Sequence, residues 1–573
     1  MPHTRLKIKQ LSLALAALPL VASFALAKDE PEAKKGVTEA EVKYQAGGSP
    51  LAGAEMHQNI NPKAPPMTAA EFAKGRQVYF ERCAVCHGEN RLGGLGPALL
   101  PQNLERLKRS QALTVINAGR IATQMPGFQA QLKPEEIQAL VAYLYAPPRE
   151  NPVWGEAEIR ASRIEHVKAD TLPNQPQFTA DPLNLFVVVE AGDHHVTILD
   201  GDRFTPLARF PSRFALHGGP KFSPDGRFVY FASRDGWIAK YDLYNLKMLA
   251  EIRVGINTRN LAVSSDGQWA MAANSLPHTL VLLNAVDLSL ARIIPVVNDA
   301  GQSSRVSAVY DAAPRQSFVA ALKDIPEVWE LSYNPKAEPV FKGYVHDYKM
   351  GEAIAAPGMW TPRVTRLDAI LDDFFFSPDY AYVLGAARPV DGNTPSTASG
   401  QVVNLDVRRK IADVPLPGLP HLGSGISWDY QGRRVMATPN LREGVISVID
   451  MQDWKILKEI KTAGPAFFMR SHENTPYAWV DAMMSPAKDT LQLLDKRRLE
   501  IAHTLRPAPG QTAAHTEFTR DGKYALVSIW EDDGALVVYD AATLKEIKRL
   551  PMRKPVGKYN VYNKITRSEG TSH

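Results

Sequence analysis

Cys83-Ala84-Val85-Cys86-His87 combines residue types that together hold one kind of cofactor. Two thiols at this spacing can form thioether links to the vinyl groups of a haem, and the adjacent imidazole can then reach the iron from one face. These are the only two cysteines among 573 residues, so no disulfide or cysteine-rich zinc site competes for them. The stretch reads as the attachment run of one covalent c-type haem, with His87 as an axial ligand. Met125, in Met125-Pro126-Gly127-Phe128, offers the second axial ligand. A soft thioether stabilises ferrous iron and raises its potential. The bland alternative for Met125 is a packed core methionine.

A second set of candidates lies far along the chain. His217 stands in Phe214-Ala215-Leu216-His217-Gly218-Gly219, and His421, His472 and His515 stand near the starts of repeated units. Each can be a metal ligand, a base or a hydrogen-bonded core histidine. Arg234, before Asp235-Gly236, and Arg259, in Asn257-Thr258-Arg259-Asn260, can clamp carboxylates bidentately. An inter-blade or solvated arginine is an equal reading of both. His57 reads as a solvated residue of a tail, His194-His195 as a hairpin turn, and His346 as part of an inserted loop able to form a lid. No Ser-His-Asp, phosphate-loop or zinc signature is present.

The elements that must position these residues fall into zones. Residues 1–27 read as a cleavable secretion signal: Arg5, Lys7 and Lys9, an apolar run over 11–24, then Ala25-Leu26-Ala27. No later apolar run is long enough to span a bilayer, and the expected location is the periplasm. Residues 28–66 read as a linker or tail. Residues 67–148 read as a small all-α cytochrome c domain. Its first helix is capped by Thr68 with Glu71 three residues on, and its last is opened by Pro134 and striped by Ile137, Leu140, Val141 and Leu144. Residues 149–180 read as a linker.

Residues 181–573 carry eight repeats of paired strands, marked by Leu185–Val189 with Val196–Leu199, Phe228–Ala232 with Ile238–Tyr241, Trp269–Ala273 with Leu280–Leu283, and five further pairs ending at Tyr524–Ile529 with Leu536–Tyr539. Ser223-Pro224-Asp225-Gly226, Ser265-Asp266-Gly267, Ser377-Pro378-Asp379 and Arg520-Asp521-Gly522 supply tight reversals. The pattern predicts an all-β eight-bladed propeller, with an inserted loop over 333–376. A formal net charge of +5 and the lack of any basic block give no case for nucleic acid.

A haem c domain followed by an eight-bladed propeller resembles the cytochrome cd1 nitrite reductase family. The resemblance covers both domains, and its best-matching stretches are Phe214–His217, Ser528-Ile529-Trp530 and Gly557–Asn563. It implies that the propeller's axial channel holds haem d1, a macrocycle with several carboxylates, and that His217 is its proximal iron ligand. By the same resemblance, the two distal histidine positions that would protonate nitrite fall near Lys323 and on Asp372, and neither is a histidine.

The ending from Asn563 to His573 resembles biosynthetic members of the family. The resemblance then implies oxidation of a propionate on a dihydro precursor of haem d1 to an acrylate. Electrons would leave through haem c to a small redox protein, and the product would pass to nitrite reductase among other d1-biogenesis proteins. His421, His472, His515 and Lys323 are the candidate catalytic residues, with Arg234 and Arg259 holding ring carboxylates. Nitrite reduction, and a non-enzymatic haem d1 carrier, are the rival expectations.

Overall fold

The computed structural model describes residues 67–104, 107–119, 125–148, 152–216, 219–342, 354–388 and 400–567. The expected signal over 1–27, the tail with His57, His217 and His346 lie outside the described residues.

Among the described residues four helices build the N-terminal domain: α1 (Ala69–Arg82), α2 (Ala84–His87), α3 (Arg109–Ala118) and α4 (Pro134–Tyr145). Thr68 caps α1 in both directions. Its hydroxyl accepts from Glu71 N–H at 3.2 Å, and the Glu71 carboxylate accepts from Thr68 N–H at 2.8 Å. That pair satisfies two donors a helix start leaves open. The stripe Ile137, Leu140, Val141 and Leu144 is buried against Val78 and Tyr79. At the α1–α4 crossing only a glycine fits: a Cβ on Gly75 would lie 2.3 Å from the Ala139 carbonyl oxygen.

Eight antiparallel sheets follow among the described residues as propeller blades, seven of four strands and one of five. The innermost strands of blades one to seven are Lys221–Phe222, Asn257–Val263, Val306–Ala312, Ile370–Phe376, Ile426–Tyr430, Met469–Arg470 and Ala513–Phe518. The eighth blade takes its innermost strand, Pro555–Asn560, from the end of the chain and its other three from residues 185–211. Phe186 pairs with Asn560 and Val188 with Lys558 across that joint. That joint closes the ring, so each blade packs between two neighbours and only the short outer strands remain as edges.

The strand pairs expected from sequence are the second and third strands of each blade, the most buried and so the most legible. The reversals use one device: the hydroxyls of Ser223, Ser264, Ser377 and Thr519 bond to Asp225, Asp266, Asp379 and Asp521 at 2.5–2.7 Å.

Two sequence expectations need correction. Residues 333–376 are not one loop. A short ribbon pairs Val340–Lys342 with Ile354–Ala356, Arg363–Arg366 is the outer strand of blade three, and Ile370–Phe376 opens blade four. The outer strand is arginine-rich and half exposed, so it lacks the apolar alternation that marks a strand. Residues 152–180 are more than a linker. Helix α5 (Glu156–Ala161) buries Ile159 in the core of blades one and two, and Ile164–Glu165 adds a fifth strand to blade one.

Alternating strand direction puts the starts of the innermost strands and the turns between second and third strands at one end of the barrel, here the upper end. The helical domain docks there. Ala98, Leu100 and Ile256 share one apolar cluster, and Asn103 Nδ2 donates to the Ile256 carbonyl at 3.0 Å. Helix α6 (Val561–Thr566) packs at the lower end. Among the described residues no helix is long and apolar enough to cross a membrane.

Candidate functional site

Cys83 and Cys86 are both free thiols, flanking the single turn of α2 that delivers His87. The His87 ring is buried, and its Nδ1 lies 2.7 Å from the Pro97 carbonyl oxygen. That bond occupies one ring nitrogen and leaves Nε2 for a ligand. Burial also pushes the His87 pKa down, so the imidazole is neutral. Gly96 opens the space in front of the ring; a Cβ there would come within 2.7 Å of His87 Cε1. Met125 is half-buried against the apolar core of the same domain. Donor types, tautomer and cradle fit a covalently held haem.

The propeller's candidates divide by position. Arg234 sits in the second-to-third turn of blade one. Its N–H donates to the Ala215 carbonyl at 3.0 Å, and its own carbonyl accepts from Thr258 N–H at 3.3 Å. It thus braces the segment running into position 217. Arg259 lies half-buried on the innermost strand of blade two, with Nε 3.3 Å from the Ser307 carbonyl. Lys323 is in the equivalent turn of blade three, where its N–H donates to the Arg305 carbonyl. These three are at the upper end.

His421 and His515 reach the channel wall. The His421 ring packs 4.2 Å from Phe467, its Nδ1 lies 2.6 Å from the Phe467 carbonyl, and its pKa is pushed down by burial despite the Asp373 carboxylate nearby. His515 is wedged between Phe468 and Tyr559, 4.7 and 5.0 Å away centroid to centroid. It is 1% exposed and neither ring nitrogen has a partner. Burial, with Lys558, Arg470 and Lys564 close by, holds its pKa well below the ordinary value.

His472 does not join them. It follows the innermost strand of blade six, at the lower end. Its Nε2 lies 3.2 Å from the Arg520 carbonyl and its Nδ1 accepts from Asn474 N–H at 3.1 Å. It is an inter-blade tie, because both nitrogens are spent on neighbouring backbone.

Sequence reasoning missed most of the channel's charged lining. Lys221, Arg470, Lys558 and Lys564 converge from blades one, six and eight and from α6. Their charges are crowded: burial drives the Lys221 amine down to about 8, and burial with neighbouring cations holds Lys558 and Lys564 well below their usual range. Arg470 is buried with its Nε unpartnered. Lys221 Nζ lies over the Tyr310 ring, 5.7 Å from its centre; the Tyr310 hydroxyl donates to Asp373 Oδ1 at 2.8 Å, and burial raises the Asp373 pKa.

Tyr559 packs against His515, with Lys564 Nζ 5.6 Å from its ring centre. A Cβ on Gly557 would meet its hydroxyl oxygen at 2.8 Å, and one on Gly219 would meet its ring at 3.0 Å. The phenol therefore lies against Gly219 and Gly557. Its pKa is pushed up to about 12 by burial, so it stays protonated. Lys558 and Tyr559 fall in the stretch Gly557–Asn563 that carries the resemblance; no local pattern marks the others, since each gains its role from a neighbour on another blade.

A channel so walled offers cations, aromatic faces and unmade hydrogen bonds. Leaving a buried donor or acceptor unpaired costs about 1–3 kcal/mol, and His515, Trp530, Arg470 and Glu517 all carry such atoms. A flat ligand with several carboxylates would offset both the repulsion and the unpaired atoms. The architecture is that of a tetrapyrrole-binding propeller carrying its own c-type electron-transfer domain.

The chain belongs to the cytochrome d1 haem domain family, whose model matches residues 180–349 and 356–564. A second model, cytochrome c oxidase cbb3-type subunit III, matches residues 70–144. The dihydro-heme d1 dehydrogenase of Pseudomonas aeruginosa is 59% identical over 508 residues, 88% of this chain and 97% of that protein. A nitrite reductase of Stutzerimonas stutzeri is 24% identical over 87% of this chain and 94% of its own length. A solved structure of dihydro-heme d1 dehydrogenase NirN in complex with DHE superposes with a TM-score of 0.79 at 58% identity, covering 86% of this chain and all of that one.

Proposed function

We propose that this chain is a dihydro-haem d1 dehydrogenase that works in the periplasm. It takes a tetrapyrrole bearing a propionate and converts the side chain to an acrylate. Two protons and two electrons leave the CH2–CH2 unit as the double bond forms. A covalent haem c, held by Cys83 and Cys86 and ligated by His87 and Met125, supplies a one-electron acceptor when bound.

The residues divide the work. Arg470, Lys221, Lys558 and Lys564 attract and orient ring carboxylates; Arg234 and Arg259 do so from the upper rim. His217 provides an iron ligand for the substrate. The rings of Tyr559 and His515 pack against each other, 5.0 Å apart centroid to centroid, and this pair is assigned the passage of protons away from the propionate carbon chain. His515, kept neutral, can accept a hydrogen bond without adding to the crowding of Lys221, Arg470, Lys558 and Lys564. The phenyl rings of Phe467 and Phe468 line the wall and limit water.

The observation that carries this reading is the docking of the haem c loop on the channel rim: Ala98 N–H donates to Asp235 at 2.8 Å, one residue from Arg234. A dehydrogenase needs such an exit for electrons; a carrier does not. Product leaving the channel would pass to nitrite reductase, and a small redox protein would reoxidise haem c.

The test is anaerobic incubation of the purified full-length protein with half a molar equivalent of dihydro-haem d1, so that two haem c groups take up its two electrons, followed by absorption and mass analysis. Reduction of haem c with loss of two hydrogens from the macrocycle supports the reading. A macrocycle recovered with its propionate saturated would leave a carrier, and fast nitric oxide production from nitrite would make the chain a reductase.

A further inference from the structure

The peptide unit joining Pro97 to Ala98 carries two hydrogen bonds. Its carbonyl oxygen lies 2.7 Å from His87 Nδ1, and its N–H donates to Asp235 Oδ1 at 2.8 Å. The first partner is the axial imidazole of the helical domain. The second is a carboxylate of the propeller. His87, Ala98 and Asp235 are all buried, so water does not dilute the connection.

Hydrogen bonds in series polarise one another, more strongly in a low dielectric. A carboxylate accepting from the N–H shifts negative charge toward the carbonyl oxygen of the same amide. That oxygen then draws harder on Nδ1–H, and Nε2 becomes a stronger donor. The outer hydrogen bond of a ligating histidine is a lever on the iron it binds.

We infer that Asp235 sets the reduction potential of haem c from the propeller side, as a positioning residue acting through the Pro97–Ala98 peptide. The negative charge favours ferric iron, so it lowers the potential. The same turn is tied to the substrate channel, because Arg234 N–H binds the Ala215 carbonyl, two residues before position 217.

The groups around Asp235 moderate its charge without cancelling it. Arg253 donates from Nε to the Asp235 carbonyl at 2.9 Å, while its Nη2 is 3.5 Å from Oδ1. That guanidinium also sits 4.5 Å from the Trp154 ring centre, and Arg213 contributes more weakly. Asp235 N–H donates to Ser233 Oγ at 3.0 Å. Burial holds the Asp235 carboxyl up at about 6, so its charge is complete by pH 8.

The inference rests on the haem c reading of Cys83, Cys86 and His87, and the two fail differently: without covalent haem there is no c-type spectrum to titrate. The experiment is a spectroelectrochemical titration of the full-length, haem-c-loaded protein without macrocycle, wild type against Asp235→Asn. Asparagine keeps an oxygen acceptor of the same size and removes the charge. The variant's midpoint potential is expected to lie above wild type at pH 8, with the gap narrowing toward pH 5. The hyperfine-shifted His87 ring resonances of the oxidised variant should move as well. Equal potentials at pH 8 would overturn the inference. Should Asp235→Asn lose the native c-type spectrum, Asp235→Ser is measured in its place, with the same two outcomes.

Discussion

The ring of Tyr559 stands 5.0 Å from that of His515 at an interplanar angle of 71°. Tyr559 comes from the last strand of the chain, and His515 from the innermost strand of the preceding blade. Their contact exists only because Pro555–Asn560 closes the ring against Leu185–Glu190. The strand that seals the propeller thus also completes the proposed proton-handling pair. Lys558, on the same strand, donates from Nζ to the His515 carbonyl and to Ser528 Oγ, which fixes the backbone from which the imidazole projects. That backbone is in the left-handed region at φ +50°, an unusual conformation for a histidine.

Tyr559→Phe removes one hydroxyl and leaves the packing intact. If the phenol handles a substrate proton, single-turnover conversion of the precursor should slow about 100-fold or more, the usual range for losing a general acid or base. Binding should change little. His515→Ala should weaken binding through lost packing, and its pH–rate profile should match wild type near pH 6.5, since His515 is neutral there already. Unchanged turnover in Tyr559→Phe would remove the phenol from the chemistry.

Gly96→Ala tests the haem c cradle. The new methyl would lie 2.7 Å from His87 Cε1 and 2.9 Å from Nδ1, inside any tolerable contact. The imidazole must move, so the reduced absorption spectrum should lose its low-spin c-type bands while covalent haem, retained by Cys83 and Cys86, is still found on denaturing gels. A wild-type spectrum would show that the His87 ring has more room than its packing indicates.

What could be read in advance follows from how local each signal is. The haem run, the Thr68–Glu71 cap and the blade-centre hairpins are patterns within a few residues, and the fold rests on them. The channel is different. Lys221, Tyr310, Asp373, Arg470, Tyr559 and Lys564 come from six separate elements, and nothing beside any one of them announces the others. His472 shows the converse. Its position in a repeat looked like that of His515, yet His515 lies within its strand and His472 two residues beyond the end of its own, where it pins a loop.

Arg470→Met separates binding from stability. The guanidinium is buried, with one Nη1 bond to the Met469 carbonyl and an unpartnered Nε. A carboxylate of the substrate would supply the missing partner. Removing a charged hydrogen bond of this kind costs about 1.5–3 kcal/mol, so precursor affinity should fall about tenfold to a hundredfold. Without ligand, the variant should melt no lower than wild type, because a buried charge short of partners has been replaced by apolar volume. A drop in melting temperature with unchanged affinity would assign Arg470 to the fold alone.

The lower end of the channel rests on Arg567, just beyond α6. Its guanidinium bonds Tyr380 Oη and Asp311 Oδ2, each at 2.8 Å, reaching across to blades three and four. The Asp311 side chain is 8% exposed, and burial lifts its pKa from 3.8 to about 6 even with Arg567 beside it. A carboxyl whose folded pKa lies above its unfolded value contributes most to stability below pH 4 and loses that contribution as pH rises through 6. Above pH 6 the carboxylate is charged and depends on Arg567. Arg567→Ala should therefore cost little at pH 5, where Asp311 is mostly protonated. At pH 8 it should cost about 1–2 kcal/mol, less than a fully buried pair would because the arginine is partly solvated. Denaturant unfolding at the two pH values measures the difference, and an equal loss at both would mean that the arginine acts through Tyr380 and packing rather than through the Asp311 charge.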